Sequence, residues 1–300
     1  MRLAKTRTAA VGLAAVLAAT LSACGSSVTK SSSPAVVAPP ASLVSSGALT
    51  YGTAATFPPF ESKSVGGDLE GFDIDMISAL AGSMGLATKP MDMDFDGLIP
   101  ALAGKRIDIV NSAMYITAAR SAKVDFVPYL VIGEALLTPK GNPKGIARIP
   151  QDLSGKTIAV TRGAIGETYM NEYNDDLRKQ GLPTMTVMSL PTNQDAELAV
   201  RSGRADAFDT STPGAATTVA KTKDTFAIAA TFKNQTKIGI AVRKGETGTA
   251  AAIQRALDRF VQSGAYQRLL TKYQIPADSS YFTGASAPAS PTPPSPTPGN

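Results

Sequence analysis

The sequence predicts an α/β fold made of two similar lobes, and three observations carry that expectation. Strand-like and helix-like segments alternate through residues 47–284, the pattern of strands covered by helices. Those 238 residues suffice for one large or two small cores. One local design also occurs twice, about a hundred residues apart, as Ala101-Leu102-Ala103-Gly104-Lys105-Arg106-Ile107-Asp108-Ile109-Val110 and Ala199-Val200-Arg201-Ser202-Gly203-Arg204-Ala205-Asp206-Ala207-Phe208. Each copy is a helix end, a Gly stop, a basic residue and an Asp opening an apolar strand. Gly permits the left-handed turn at a helix C-terminus, and the cation suits the negative end of the helix dipole.

In chain order, residues 48–52 read as a strand, and Ile74, Ile77, Leu80, Ala81 and Met84 fall at helical spacing. Residues 107–110 and 156–160 are short apolar strands. Ile165, Tyr169, Tyr173 and Leu177 lie a helical turn apart, residues 205–208 form another strand, and Ile253, Ala256, Leu257, Phe260 and Val261 make one helical stripe. All these stripes read as core packing.

Ligands of open α/β sheets sit beyond the carboxyl ends of strands. Here those ends are Asn111-Ser112-Ala113-Met114-Tyr115, Asp209-Thr210-Ser211-Thr212 and Thr161-Arg162-Gly163-Ala164-Ile165-Gly166. The last is either a plain strand-to-helix turn or an anion site at a helix start. It lacks the Gly-Lys-Ser/Thr of a nucleotide-binding loop, which argues against phosphate chemistry.

Composition removes whole classes of function. The chain has no His and one Cys, so Ser-His-Asp and Cys-His catalysis, His-ligated metals, intrachain disulfides and thiolate clusters are all excluded. Arg2, Lys5 and Arg7 precede an apolar run over residues 9–20, too short to span a bilayer of roughly 30 Å, and this reads as a secretory signal over residues 1–23. Leu21-Ser22-Ala23-Cys24 resembles a bacterial lipobox, which makes Cys24 the expected lipid attachment site and places the mature protein outside the cytoplasm on the cell membrane. Losing that segment lowers the net charge from +5 to +2, which argues against nucleic-acid binding. Residues 24–46 have linker composition, and residues 284–300 form a Pro-rich tail expected to be disordered.

Motifs along the core resemble the periplasmic solute-binding proteins that deliver polar amino acids and related compounds to ABC importers. They are Phe57-Pro58-Pro59-Phe60-Glu61, Gly71-Phe72-Asp73-Ile74-Asp75, Phe95-Asp96-Gly97-Leu98-Ile99-Pro100-Ala101-Leu102, Ile116-Thr117-Ala118-Ala119-Arg120 with Val124-Asp125-Phe126, Gly203-Arg204-Ala205-Asp206-Ala207 and Gly239-Ile240-Ala241-Val242-Arg243-Lys244-Gly245. The resemblance implies a two-lobed periplasmic-binding-protein fold (type II) with two hinge crossovers, near residues 130–134 and 232–238. One lobe then takes residues 47–131 plus 238–283, the other residues 132–237. It further implies closure on a small ligand, partnership with a permease and an ATPase, a monomer, and neither cofactor nor metal.

Residue by residue, the resemblance casts Arg120 as the clamp on the ligand carboxylate, a task for a planar fork of donors. Phe57 and Phe95 would sandwich the apolar part. Ser112, Ala113 and Tyr115 would offer backbone groups and a hydroxyl, and Gly163, Ala164 and Ile165 would supply helix-start N–H groups. Departures from the family pattern bear on the ligand. Ser211 stands where amino-acid binders place the Asp that holds the ligand ammonium, and a hydroxyl cannot balance a buried cation. Asp209 shares a face with Ser211 in an ideal strand and is the candidate substitute. Ala54 stands where binders of cationic side chains carry an acid, so Lys, Arg or His is not the expected ligand. Tyr115 adds an aromatic wall, as in ectoine-binding relatives. The expected ligand is an amino acid or amino-acid-like carboxylate solute, and these changes point within that class to a modified or absent amine, with a common α-amino acid as the other reading. The alternative is a dehydratase-type enzyme on the same scaffold, needing a general acid from Glu61, Asp209 or Glu134; no acid pair stands out in the sequence.

Overall fold

The computed structural model describes residues 36–282; the expected signal segment, Cys24, the start of the expected linker and the tail at 284–300 lie outside the described residues. The fold is the two-lobed α/β type. In the first lobe β1 (Ala48–Thr53) leads to a small antiparallel flap of β2 (Thr56–Phe57), β3 (Glu61–Lys63) and β4 (Leu69–Glu70). There follow α1 (Phe72–Ser83), β5 (Ala87–Asp92), α2 (Leu98–Ala103), β6 (Ile109–Val110) and the single-turn α3 (Ala118–Ser121). The long β7 (Val124–Pro139) leaves for the second lobe of β8 (Thr157–Thr161), α4 (Ile165–Lys179), β9 (Thr186–Leu190), α5 (Asn193–Arg201), β10 (Ala207–Ser211) and α6 (Thr212–Thr222). The equally long β11 (Phe226–Arg243) returns, and α7 (Thr247–Gln262) and α8 (Ala265–Lys272) close the first lobe.

One eight-stranded sheet runs through both lobes in the order β5-β1-β6-β11-β7-β10-β8-β9. β1 is parallel to β5 and β6, and β8 is parallel to β9 and β10. Between these blocks β7 and β11 pair antiparallel from Val124↔Arg243 to Pro139↔Phe226. Their register shifts at three places, between Ile228 and Ala230, between Phe232 and Thr236 and between Ile238 and Gly239. The widest lies near the middle, where Phe232 faces Glu134 but the next pair is Thr236 with Ile132, so β11 carries two extra residues there.

The duplicated design has a physical reason. In each lobe the repeated Asp sits one strand away from the start of the central strand and exchanges hydrogen bonds with it. Asp108 N–H donates to Thr50 O (2.8 Å) while its Oδ2 accepts Thr50 N–H (2.8 Å); Asp206 does the same with Thr157 (2.8 and 2.9 Å). The carboxylates thus close the sheet ends where ladder bonds run out. Gly71, before α1, lies at φ 135°, and a Cβ there would meet the Phe60 carbonyl. That turn brings the flap over the helix start.

The periodic residues do pack. Phe72, Ile77 and Leu80 of α1 are fully buried beside Tyr129 and Tyr266, each worth about 1.5–3 kcal/mol of burial. Two expectations change. Residues 36–46 are not free linker: Val36 and Val37 N–H both bond Ser83 O, Val44 N–H bonds Asp108, and Val37 joins the core. The strand expected at 205–208 instead spans Ala207–Ser211, so Asp209 and Ser211 belong to the strand itself. Among the described residues no helix is long and apolar enough to cross a membrane.

Candidate functional site

Between the lobes lies a narrow cleft with a cavity of about 50 Å³, walled by residues from both. The chain ends after β1 and β6 and the flap form one wall; the chain ends after β8 and the face of β10 form the other. Eight of the residues singled out in the sequence line it: Phe57, Phe95, Ala113, Tyr115, Ala164, Ile165, Asp209 and Ser211. Phe57 and Phe95 come from the flap and the turn before α2, and Tyr115 from the loop after β6. The loop is pinned to β11 by Gly239 N–H to Met114 O (3.0 Å) and Ile116 N–H to Lys237 O (2.8 Å). Tyr115 is buried, with its hydroxyl donating to Gly133 O at 3.1 Å. Ala113 takes a left-handed φ of 38°, held by Asp73, which accepts its N–H at 2.7 Å.

Ser112, Arg120 and Gly163 do not line the cleft. Ser112 is buried one layer behind it, where its Oγ accepts Ala54 N–H (3.0 Å) and donates to Glu61 (2.9 Å). It positions an acid and presents nothing to a ligand. Arg120 sits at the lip. Thr117 caps α3 by accepting Arg120 N–H (3.2 Å), and the guanidinium donates to Tyr115 O (2.7 Å) and, across the lobes, to Gly163 O (2.9 Å). Its charge stands 5.3 Å from the Phe95 ring centre. Desolvation pulls Arg120 down to about 10, so it stays cationic near neutrality. The Gly163-Ala164 N–H groups, expected to meet a carboxylate, are already used. Gly163 donates to the Glu167 carboxylate (2.7 Å) and Ala164 to Thr161 O (3.0 Å), because α4 caps its own start. Ser211 is likewise a helix cap, its Oγ accepting Gly214 N–H at 3.0 Å before α6.

The cleft contains three buried carboxyl groups. Glu61, Glu134 and Asp209 line it at 1%, 2% and 5% exposure. Burial, with Asp73 beside it, drives the Glu61 carboxyl well above the usual range. Burial pushes Glu134 up to about 7, against the pull of Asp209, Tyr115 and the Arg120 charge; Asp209 is raised well above its usual value by burial and by Glu134. Thus two of the acids named in the sequence, Glu134 and Asp209, come together as a pair that the sequence did not reveal, and Glu61 lines the cleft along with Ala54. Glu134 carried a signal: it is the lone acid in the apolar run Val131-Ile132-Gly133-Glu134-Ala135-Leu136-Leu137. Thr161 and Thr210, within the strand ends singled out in the sequence, also line the cleft, as do Thr56 and Asn193, whose local sequence does not set them apart from surface polar residues. Outside the cleft, Arg162 of the second lobe reaches Asp96 (3.0 Å) and Asp94 (3.5 Å) of the first. Among the described residues no group of His, Cys, Asp and Glu could hold a metal.

The chain matches a family model described as bacterial extracellular solute-binding proteins, family 3, over residues 49–276. It is 31% identical over 229 residues to an L-cystine-binding protein of Escherichia coli, covering 76% of this chain and 82% of that one. An L-arginine-binding protein of Pseudomonas aeruginosa is 31% identical over 234 residues, covering 74% and 86%. Among solved structures, an ancestral arginine-binding protein bound to arginine superposes with a TM-score of 0.71 at 35% identity, covering 76% of this chain and 98% of that one.

Proposed function

Because this chain belongs to the bacterial extracellular solute-binding proteins of family 3, and the similar proteins named above are binding proteins, we propose that it captures an amino acid or amino-acid-like carboxylate between its lobes and hands it to an ABC permease. The observation that carries this reading is the cleft: aromatic faces from Phe57, Phe95 and Tyr115, buried carboxyls, and Arg120 at the mouth. In this reading the Arg120 fork exchanges its two carbonyl partners for the ligand carboxylate. Relatives bind arginine or cystine by their names. With Ser211 at the family's ammonium position and three aromatic faces, a delocalised or substituted cation is favoured over a bare primary ammonium. Guanidinium and ectoine-like amidinium groups both meet that description. The mature protein is monomeric and held at the membrane through lipid on Cys24.

The test is a thermal-shift screen of residues 36–282 against amino acids, compatible solutes and simple carboxylates. A ligand that binds only the folded form at a hundred times its Kd adds about 2.7 kcal/mol. Arg120→Ala should abolish that stabilisation. Stabilisation that survives the substitution removes Arg120 from the site, and a screen in which no solute stabilises the domain counts against the receptor reading.

A further inference from the structure

Glu134 and Asp209 are placed where two carboxyls are forced to interact. On the antiparallel pair β7 and β10, Ser211 faces Glu134 and Asp209 faces Leu136. The two acids are therefore diagonal neighbours on one face of the sheet, within side-chain reach. Both are almost fully buried and both line the cleft. One oxygen of each, Glu134 Oε1 and Asp209 Oδ1, has no hydrogen-bond partner. A Cβ on Gly166 would fall on the Asp209 carboxyl, so the missing side chain in the first turn of α4 makes room for this group.

We propose that Glu134 and Asp209 form a cation seat closed by a shared proton in the empty protein, and that a ligand's delocalised cation, a guanidinium or amidinium, takes the seat by expelling that proton to solvent. Two bare carboxylates in a buried site repel at a cost that one proton removes. The displacement of both carboxyls above their usual range agrees with a retained proton. The surroundings supply no replacement. Tyr115, Tyr169 and Tyr173 lie within electrostatic reach of the pair as neutral side chains, and the other carboxyl lining the cleft is Glu61. On the β11 side, the Lys233 ammonium lies over the Tyr169 ring at 5.1 Å. Arg120 favours an ionised Glu134 but spends its donors on Tyr115 and Gly163 carbonyls. The seat is displaced from the Ser211 position and uses an acid of the crossover strand.

This inference rests on the receptor reading, and its test separates the two. Calorimetric titration of the protein with L-arginine and with L-citrulline, which keeps the α-ammonium but carries a neutral urea group in place of the guanidinium, in buffers of different ionisation heat near pH 7, counts protons. Arginine should release about one proton and citrulline none. Asp209→Asn and Glu134→Gln should each abolish the release and weaken arginine at least about tenfold, while changing citrulline little. Arginine binding without proton release, or with unchanged affinity in both variants, overturns the proposal. So does a neutral solute that binds where every cation fails, an outcome that leaves the receptor reading standing. If no solute binds, the receptor reading fails, and infrared difference spectra of the empty protein decide the proton. A protonated-carboxyl band lost in both variants supports the seat, and a band identical in wild type and variants overturns it.

Discussion

Arg162→Ala tests whether the lobes are latched from outside the cleft. Arg162 reaches Asp96 at 3.0 Å and Asp94 at 3.5 Å, with side-chain exposures of 46%, 42% and 55%. Pairs this exposed are worth about 0.2–1 kcal/mol each, and because one guanidinium serves both acids the total stays near ~1 kcal/mol. Removing it should lower the ratio of closed to open molecules about fivefold. The chain has one Cys, outside residues 36–282, so a cysteine engineered on each lobe can carry a dye without background labelling. Energy transfer between the dyes then reports closure. The difference between wild type and variant should be largest at low salt and nearly vanish at 1 M, where the screening length is only about 3 Å. Equal closed populations at low salt would refute the latch, and a difference that persists in 1 M salt would refute its electrostatic origin.

Three further outcomes are expected. Asp73 and Glu134 are each pushed up to about 7 by burial, so between about pH 4 and 7 the folded protein retains protons the unfolded chain has released. Stability from these groups is therefore fully present below about pH 4 and declines as pH rises toward 7, by at most about 1.4 kcal/mol per unit for each carboxyl. Urea midpoints across that range should show the decline, flattened in Glu134→Gln; a midpoint rising from pH 5 to 7 contradicts it. Gly163 has φ 72°, and a Cβ there would lie 2.9 Å from Asp96 Cβ of the other lobe. Gly163→Ala should cost about 1–2 kcal/mol of stability through its backbone alone and also deplete the closed form, measured by denaturation and energy transfer; wild-type values in both would count against this geometry. Truncating the tucked N-terminal segment before Ser45 strips Val37 from the core and Val44 from Asp108, so thermal unfolding should shift down by several degrees.

How much was legible depends on whether a residue's role is set locally. The helix stripes at Ile74 to Met84 and Ile253 to Val261 were readable because burial imposes their spacing. The paired Gly-basic-Asp design was readable too, since the sheet-end bonds of Asp108 and Asp206 demand the same residues twice. The cleft was legible as a set of strand ends, but not the pairing of Glu134 with Asp209. Those residues lie 75 positions apart and meet only through the register of β7 against β10. The N–H groups at Gly163 and Ala164 look free in sequence and are consumed by Glu167 and Thr161, a competition that spacing does not reveal. Residues 36–46 have the composition of a tether and are held by backbone bonds to Ser83, which composition does not encode.

The widest of the breaks in the β7–β11 ladder, between Phe232 and Thr236, bears on the mechanics of the molecule. Two continuous strands behave as a stiff rod, and a rod bends most easily where its rungs are missing, between Phe232 and Thr236. Glu134 faces Phe232 at the edge of that gap. Charge placed or neutralised at Glu134 therefore acts at the fulcrum, where a small torque turns a whole lobe, whereas the same charge on Glu61 would push on one arm of the lever. A group that engages Glu134 on the crossover strand therefore acts on both lobes at once, without any relay of intermediate residues.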